Sequence, residues 1–412
     1  MRFALLGDHP DGLDMARALV ESGRHDVIAY CGPSSALETL SRWGMKPEPV
    51  VDIEEVLADP VIEGVIVAGG MAARAGQWRR ALQSERHVLC VHPAGNTADL
   101  AYEADMLRGD VRCVLLPLLP EALHPGIRRL AQVANSPAPP TGITAHLDGI
   151  TTMPLQALPV QSSKRLQMLE IERWSSEEVL LQTEQVGKHA SLPGWDTLRR
   201  LGGEVQELFA LASTHELGPE TPLLLSGQFV RGGLFHATLL PGQSENRLRL
   251  TMITATGRAE LLFPQGWPGP AQLSYRDAEG ETHTESWPAE DPWPSVVACF
   301  EAELGGRGRD EPVLLSWKDA VRALELDDAV RRSVHRRRAS TLDYQEATEE
   351  ASFKGTMTLV GCGLIWLSLL LLIFSMWVPW LAWLILPAFS VFLAMQFLRG
   401  FVEKREEPAK RG

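Results

Sequence analysis

The stretch "RFALLGDHPDGLDMARALVES" (Arg2–Ser22) decides the reading of the fold. Phe3–Leu6 is a continuous apolar run, the pattern of a strand covered on both faces. From Gly12 to Ser22 the apolar residues recur at helical spacing. Between the two stands the turn Gly7-Asp8-His9-Pro10-Asp11-Gly12. The same alternation then repeats. Val27–Tyr30, Gly64–Ala68, His87–Val91 and Arg112–Leu116 read as strands; Ser34–Trp43, Ala73–Gln83 and Thr97–Arg108 read as helices. Strand–helix alternation of this kind predicts an α/β, Rossmann-type doubly wound parallel sheet over residues 1–120.

In such sheets ligands sit at the carboxyl ends of the strands, so the strand-end residues are the candidate site. A dinucleotide fingerprint there would read G-x-G-x-x-G: a tight turn, close backbone approach to a diphosphate, then close helix packing. Gly7 and Gly12 fill the first and third positions. His9 fills the second, where a side chain crowds the phosphates, and Pro10 removes a backbone donor. The second strand should end near a ribose-binding acid; Cys31, Gly32 and Pro33 stand there instead, and the next basic residue is Arg42. The fifth strand ends in His92-Pro93. A histidine at a strand mouth serves as an acid or base near neutral pH, as a ligand contact, or as a strand-end residue without chemistry.

A junction, "NSPAPPTG" (Asn135–Gly142), precedes a change of pattern. "TGITAHLDGI", "LLLSGQFVRGGLFHATLLPG" and "NRLRLTMITATGRAELLFPQG" read as long strands joined by Gly, Pro and Asn turns, with a helix over about Leu192–Thr214. We therefore expect a second domain over residues 121–338, α+β, on a mostly antiparallel sheet, closed by the amphipathic stretch "SWKDAVRALELDDAVRRSVHRRR". Residues 339–354 read as a polar linker.

The chain has 412 residues, a formal net charge of −13 and a pI near 5.4. That acidic balance argues against a nucleic-acid partner, which needs a basic face. The five cysteines are scattered without CxxC or metal-type spacing, so no metal site and no disulfide framework is expected, and a reducing compartment fits. The start of the chain has too short an apolar stretch for a signal peptide. The far end differs. Gly355 to Leu398 contains no Asp, Glu, Lys, Arg or His, and a spanning helix needs roughly 20 apolar residues. Pro379 lies in the middle, with Trp377 and Trp380 suited to an interface belt. Arginines from Arg331 to Arg338 precede the run, and Arg399, Lys404, Arg405, Lys410 and Arg411 follow it in the basic tail 399–412. Positive charge at both ends predicts a transmembrane hairpin in a bacterial-type inner membrane, a multi-pass protein whose soluble domains and termini are cytoplasmic. The bilayer is then a partner through residues 355–398, and the Arg331–Arg338 cluster contacts anionic lipid.

The run "VLADPVIEGVIVAGGMAARAGQWRRALQSERHVLCVHPAGNTADLAYEA" (Val56–Ala104) resembles the N-terminal domain of the Gfo/Idh/MocA oxidoreductases. Ser316–Arg338 resembles that family's C-terminal signature, and "NRLRLTMITATGRAELLF" its sheet-domain pattern, so the likeness spans roughly residues 1–338. The resemblance implies NAD or NADP as cofactor, a sugar-like or polyol substrate, and pairing of subunits through the second-domain sheet. It also implies roles that this sequence fills differently. His92 stands where the family has the Lys of Glu-Lys-Pro. In "GKHASLPGWDTLRRLGG" His189 stands at the motif Asp and Pro193 at the proton-transfer His, leaving His189, Lys188 or Asp196 as substitutes; Asp196 is equally a helix N-cap. Ala68-Gly69-Gly70 replaces the Thr-Pro that contacts the nicotinamide ribose. The candidate catalytic residues are thus His92, His189 and Asp196, and the candidate cofactor contacts Gly7, His9, Gly12, Cys31, Gly69 and His92. Two readings follow: a divergent NAD(P)-dependent oxidoreductase at the membrane, or a catalytically silent membrane-tethered binding or scaffold protein.

Overall fold

The computed structural model describes residues 1–95, 97–110, 113–135, 166–176, 192, 194–215, 217–218, 220–255, 257–276, 280–305 and 315–342. His189, the strand expected at 141–150 and the apolar run 355–398 lie outside the described residues. Among the described residues no helix is long and apolar enough to cross a membrane.

The N-terminal strands are β1 (Arg2–Gly7), β2 (Asp26–Cys31), β3 (Glu48–Pro49), β4 (Gly64–Ala68), β5 (His87–Val91) and β6 (Leu115–Leu118). All pair in parallel, in the order β3-β2-β1-β4-β5-β6. That is the dinucleotide-fold order, whose direction of winding reverses between β1 and β4 and opens a crevice there. The helices α1 (Pro10–Glu21), α2 (Ser34–Arg42), α3 (Ile53–Ala58), α4 (Met71–Gln83) and α5 (Ala98–Asp110) connect the strands. One correction to the sequence reading concerns the bounds of the last strand, expected at Arg112–Leu116 and found at Leu115–Leu118. β6 begins at Leu115 rather than Arg112, and it carries Pro117, which an edge strand tolerates because no neighbour needs its missing N–H.

A short 3-10 turn, Glu121–Leu123, leads into α6 (Pro125–Asn135). The remaining elements are β7 (Leu166–Ser176), α7 (Trp195–Gly202), β8 (Val205–Ala212), β9 (Leu223–Phe229), β10 (Leu234–Gln243), β11 (Arg247–Thr254), β12 (Gly257–Phe263), β13 (Ala271–Arg276), β14 (Thr282–Trp287), α8 (Trp293–Leu304), α9 (Trp317–Arg336) and β15 (Ser340–Thr341). The strands form one nine-stranded sheet in the order β14-β13-β12-β11-β7-β10-β9-β8-β15, antiparallel except for the β10–β7 pair. The helix expected over Leu192–Thr214 is much shorter. Gly203, at φ 91°, ends it, and "VQELFALA" becomes β8. After a bulge between Val205 and Glu207, buried Leu208 and Ala210 alternate with exposed Phe209 and Leu211, as a strand requires.

The two late helices tie the sheets into one unit. Trp293, Val296 and Phe300 of α8 join Phe3, Leu5 and Met15 in the core on one side of the parallel sheet. Trp317, Ala320 and Val321 of α9 join Val65, Trp78 and Cys90 on the other, with Trp317 Nε1 donating to Ala101 O at 2.8 Å. Further along the same helix Leu326, Val330 and Val334 pack into the core of the second sheet. Burial of such side chains contributes roughly 1.5–3 kcal/mol each, so neither sheet keeps its cover without the C-terminal segment.

Candidate functional site

The turn after β1 is the floor of the crevice. Gly7 sits at φ 108°, and a Cβ there would lie 2.3 Å from Ala68 O. A Cβ on Gly12 would lie 2.3 Å from Ala68 Cβ. Both glycines are therefore required for the close approach of β1, α1 and β4, as the first and third fingerprint positions demand.

The second position does something else. His9 is the N-cap of α1, and its Nδ1 accepts the N–H of Asp11 at 3.2 Å. Pro10, the first helical residue, has no N–H to give. A helix N-terminus binds anions through its free amides; here the amide at position 10 is missing and that at 11 is taken by the imidazole. Burial, then the nearby Arg74 charge, lowers the His9 pKa to about 4. The ring is neutral at pH 7, as an acceptor must be. Asp11 adds a carboxyl at the same helix start; burial and then Asp14 raise its pKa to about 6, which still leaves it mostly ionised at pH 7. The residues present do not fit a diphosphate seated on this helix.

The strand-end residues complete the crevice. Cys31 ends β2, its thiol directed to Val51 O at 3.6 Å. The carboxylate that acts on this thiol is Asp52, which caps α3 through the Glu54 N–H at 3.0 Å; burial, then the Asp52 charge, raises the Cys31 pKa. Tyr30 is buried, with its hydroxyl donating to Pro33 O at 2.9 Å. A Cβ on Gly32 would strike that hydroxyl at 2.4 Å. Gly69 follows β4, and a Cβ there would meet the Gln77 amide at 2.6 Å.

His92 follows β5, and its bond to Pro93 is cis. Burial, then Arg74, pushes its pKa down to about 3. The ring is neutral and is not a proton carrier at neutral pH; a Lys there would be a cation. Its Nδ1 is buried without a hydrogen-bond partner among the described residues, as is Gln77 Oε1. Two orphaned polar atoms at adjoining strand ends are unusual, because buried polar groups are normally satisfied.

Sequence reasoning missed Arg74. It lies on α4 and is fully buried. Its Nε donates to Gly69 O at 2.8 Å and its Nη1 to Pro93 O at 2.9 Å. One turn later Trp78 Nε1 donates to Ala94 O at 3.1 Å. The two side chains share a helix face at i and i+4 and hold the loops after β4 and β5 together. A buried guanidinium with carbonyl partners and no carboxylate within ion-pairing distance among the described residues is costly. In the sequence it reads as one more solvated arginine of "AARAGQWRR".

Asp196 belongs to a different cluster. It lies in the first turn of α7, whose N-cap is Gly194, so the capping alternative does not hold. Its carboxylate accepts the N–H of Ala122 at 3.2 Å. Beside it, Glu121 accepts from Thr197 Oγ1 at 2.9 Å and from Arg173 Nη2 at 2.6 Å. Burial, then the Glu121 charge, raises the Asp196 pKa. This buried group joins the turn after β6 to α7 and β7. His92 and Asp196 therefore have separate partners: His92 stands with Arg74 at the crevice, and Asp196 with Glu121 between the sheets. Among the described residues no group of three or more His, Cys, Asp or Glu is placed to hold a metal ion.

No protein-family model matches the chain, and no curated protein matches it. Solved structures do. An oxidoreductase from Agrobacterium radiobacter, in complex with NAD+, L-tartaric acid and magnesium, is 13% identical, covers 83% of this chain and 98% of its own, with a TM-score of 0.64. Aldose-aldose oxidoreductase from Caulobacter crescentus, complexed with glycerol, is 16% identical over 83% of this chain and 99% of its own, TM-score 0.63. UDP-N-acetylglucosamine 3-dehydrogenase from Acidithiobacillus ferrooxidans is 15% identical over 82% and 98%, TM-score 0.61. The chain thus has the two-domain fold of these sugar-type oxidoreductases, at an identity that shows the fold alone.

Proposed function

We propose that this chain is a membrane-tethered binding protein built on a dehydrogenase fold, with its crevice closed to the diphosphate of NAD(P). The observation that carries this reading is the His9 cap: Nδ1 holds the Asp11 amide at 3.2 Å in the place of a glycine. A dinucleotide on this turn would displace the imidazole, find no N–H at Pro10, and meet the Asp11 carboxylate. Each lost charge-assisted hydrogen bond costs about 1.5–3 kcal/mol. Together these terms remove most of the affinity that the glycine-rich turn supplies elsewhere. The tether rests on the sequence: 355–398 contains no Asp, Glu, Lys, Arg or His and is flanked by basic residues, a pattern that favours both termini on the cytoplasmic side of an inner membrane.

A second reading keeps the activity of the fold: a divergent NAD(P)-dependent oxidoreductase acting on a sugar-like or polyol substrate at the membrane. Two observations favour it. The structural neighbours include an NAD+ complex and a glycerol complex, and His92 Nδ1 and Gln77 Oε1 are left without partners at the strand ends, where a small polyhydroxy ligand would satisfy them. Calorimetry on the full chain in detergent separates the readings. The binding-protein reading expects no heat from NAD(H) or NADP(H) at millimolar concentration. Micromolar binding of either, from folded protein, would sink it and leave the oxidoreductase reading standing.

A further inference from the structure

The turn after β6 and the first turn of α7 are fastened crosswise by neighbouring residues. Asp196 Oδ2 accepts the N–H of Ala122 at 3.2 Å, and Thr197 Oγ1 donates to Glu121 Oε1 at 2.9 Å. Residues 121 and 122 thus meet residues 197 and 196, and the two carboxyls share one enclosure. Both acids are only 8% exposed. Gly194 closes a further side: a Cβ there would lie 3.2 Å from Arg173 Nη2 and 3.3 Å from Glu121 Oε1. β6 runs parallel to β5, and β5 to β4. The turn that follows β6 therefore stands at the same sheet end as the crevice, and this cluster ties that rim to the second sheet.

The charges in the enclosure do not balance. Arg173 Nη2 pairs with Glu121 Oε2 at 2.6 Å. Asp196 accepts backbone N–H groups, of Ala122 and Thr197, and has no cation within ion-pairing distance among the described residues. The charged groups on the elements packed around it are engaged elsewhere or act weakly. On α7 itself, Arg199 pairs with Glu204 and with Asp319 of α9, and Arg200 draws the Asp196 pKa down by less than burial and Glu121 raise it. On α9, Asp327 accepts from Trp195 Nε1 at 2.7 Å. At the start of α6, burial keeps His124 neutral, and Arg128 acts on Arg200. A buried carboxylate beside a second carboxylate, with no cation of its own, is relieved by taking up a proton. Each carboxylate oxygen has two lone pairs. Glu121 can therefore accept a hydrogen bond from a protonated Asp196 and still keep Thr197 and Arg173.

We infer that Glu121 and Asp196 share one proton at neutral pH, and that this proton is the clasp between the crevice rim and the second sheet. With the proton in place, the pair is an acid hydrogen-bonded to a carboxylate. Without it, two carboxylates repel across an enclosure that holds one paired guanidinium. When the clasp opens, water reaches Asp196 and its pKa returns toward the ordinary 3.8. The closed form binds the proton more tightly than the open form. Closure is thus fully favoured below pH 3.8 and weakens as pH rises through the raised value of the closed form. The rim is held in acid and at neutral pH, and is loosened in alkali.

Hydrogen exchange on the full chain in detergent tests this, on peptides spanning residues 119–124 and 195–202, between about pH 6.5 and 8.5, with rates corrected for the intrinsic pH dependence of amide exchange. The interval lies above the folded pKa values of His124 and Asp11, about 4 and about 6. Wild type should lose about tenfold of its protection in both peptides, the equivalent of one pKa unit of linkage, while a β1 peptide over residues 2–7 keeps its own. Asp196→Asn has no proton to lose at that position and should stay level. Glu121→Gln removes the like charge and should move the loss to lower pH; it also decides the matter if Asp196→Asn does not fold. No loss in wild type, an equal loss in Asp196→Asn, or a loss in Glu121→Gln over the same interval as wild type overturns the shared proton.

Discussion

His9-Pro10 and His124-Pro125 begin two helices in different parts of the molecule, and they do so in the same way. His9 has φ −59° and ψ 134°; His124 has φ −58° and ψ 133°. Each Nδ1 accepts the amide two residues on, Asp11 at 3.2 Å and Gly126 at 3.1 Å. Each carbonyl takes the N–H groups three and four residues ahead. Burial holds each ring to a pKa of about 4. What differs is the surroundings. His124 is boxed edge-on by Phe263, Trp267 and Trp287, beyond the first sheet's turn region. His9 faces Arg74 and Asp11 in a crevice that this fold uses for phosphates. The neutral His-Pro start is thus a general capping device of this chain. At His9 the device takes the Asp11 amide at the fingerprint turn, and on the proposed reading closing the diphosphate cradle is a consequence of capping the helix.

Substitutions at both starts and at their neighbours sharpen or break that comparison. The largest effect is expected at Gly7, which makes the crevice turn what it is. Gly7→Ala places a methyl 2.3 Å from Ala68 O at φ 108° and should cost roughly 3–5 kcal/mol, read by chemical denaturation; a loss below about 1 kcal/mol would mean that the turn adapts and the crevice is not rigid. Next comes Arg74→Met. It strands the carbonyls of Gly69 and Pro93 and should cost about 2–4 kcal/mol. Of more use is its effect on the histidines. Arg74 helps depress His9 and His92, whereas the charge beside His124 is Arg128. NMR titration of Arg74→Gln should therefore move the His9 and His92 resonances to higher pKa and leave His124 in place; equal movement of all three would refute the assignment.

Smaller is the difference between the caps themselves. His124→Ala removes a cap and opens a hole among three aromatic rings, about 2–4 kcal/mol. His9→Gly keeps a residue that caps acceptably and should cost at most about 1 kcal/mol. Linkage gives the pH dependence of this difference a definite sign. A histidine whose folded pKa lies near 4, below its unfolded value of 6.5, contributes fully above pH 6.5. That contribution is lost as pH falls toward 4, because the unfolded state binds the proton first. The stability gap between wild type and His124→Gln should shrink over that window. A gap that stays constant from pH 7 to pH 4 would show that the ring is not held neutral.

Much of the fold was legible because its strands carry a continuous apolar signal. Phe3–Leu6, Gly64–Ala68 and His87–Val91 stood out for that reason, and Gly7 and Gly12 marked the turn between β1 and α1. Less was legible where a local pattern fits two elements. "VQELFALA" continues a helical apolar spacing, and only the left-handed Gly203 before it turns the segment into β8. β3 is two residues, Glu48–Pro49, and has no pattern to read. In the site, the substitutions at His9, Cys31 and His92 were visible as departures from a fingerprint, but not their chemistry. Nothing in a sequence says that His9 caps Asp11, since the same residues would suit a solvent-exposed turn. Arg74 was illegible for the opposite reason: its burial is set by the loops after two other strands. Asp196 looked like a cap or a catalyst; its partner Glu121 comes from 75 positions earlier in the chain, across the two sheets.

The most direct test of the account is a paired titration of NADH into the full-length wild type and a His9→Gly, Pro10→Ala variant, both shown folded. If the cap closes the cradle, the variant regains two amide donors at the start of α1 and binds NADH at least about tenfold more tightly than wild type. If wild type binds as tightly as the variant, the imidazole does not stand in the way of the diphosphate, and the crevice is an open dinucleotide site.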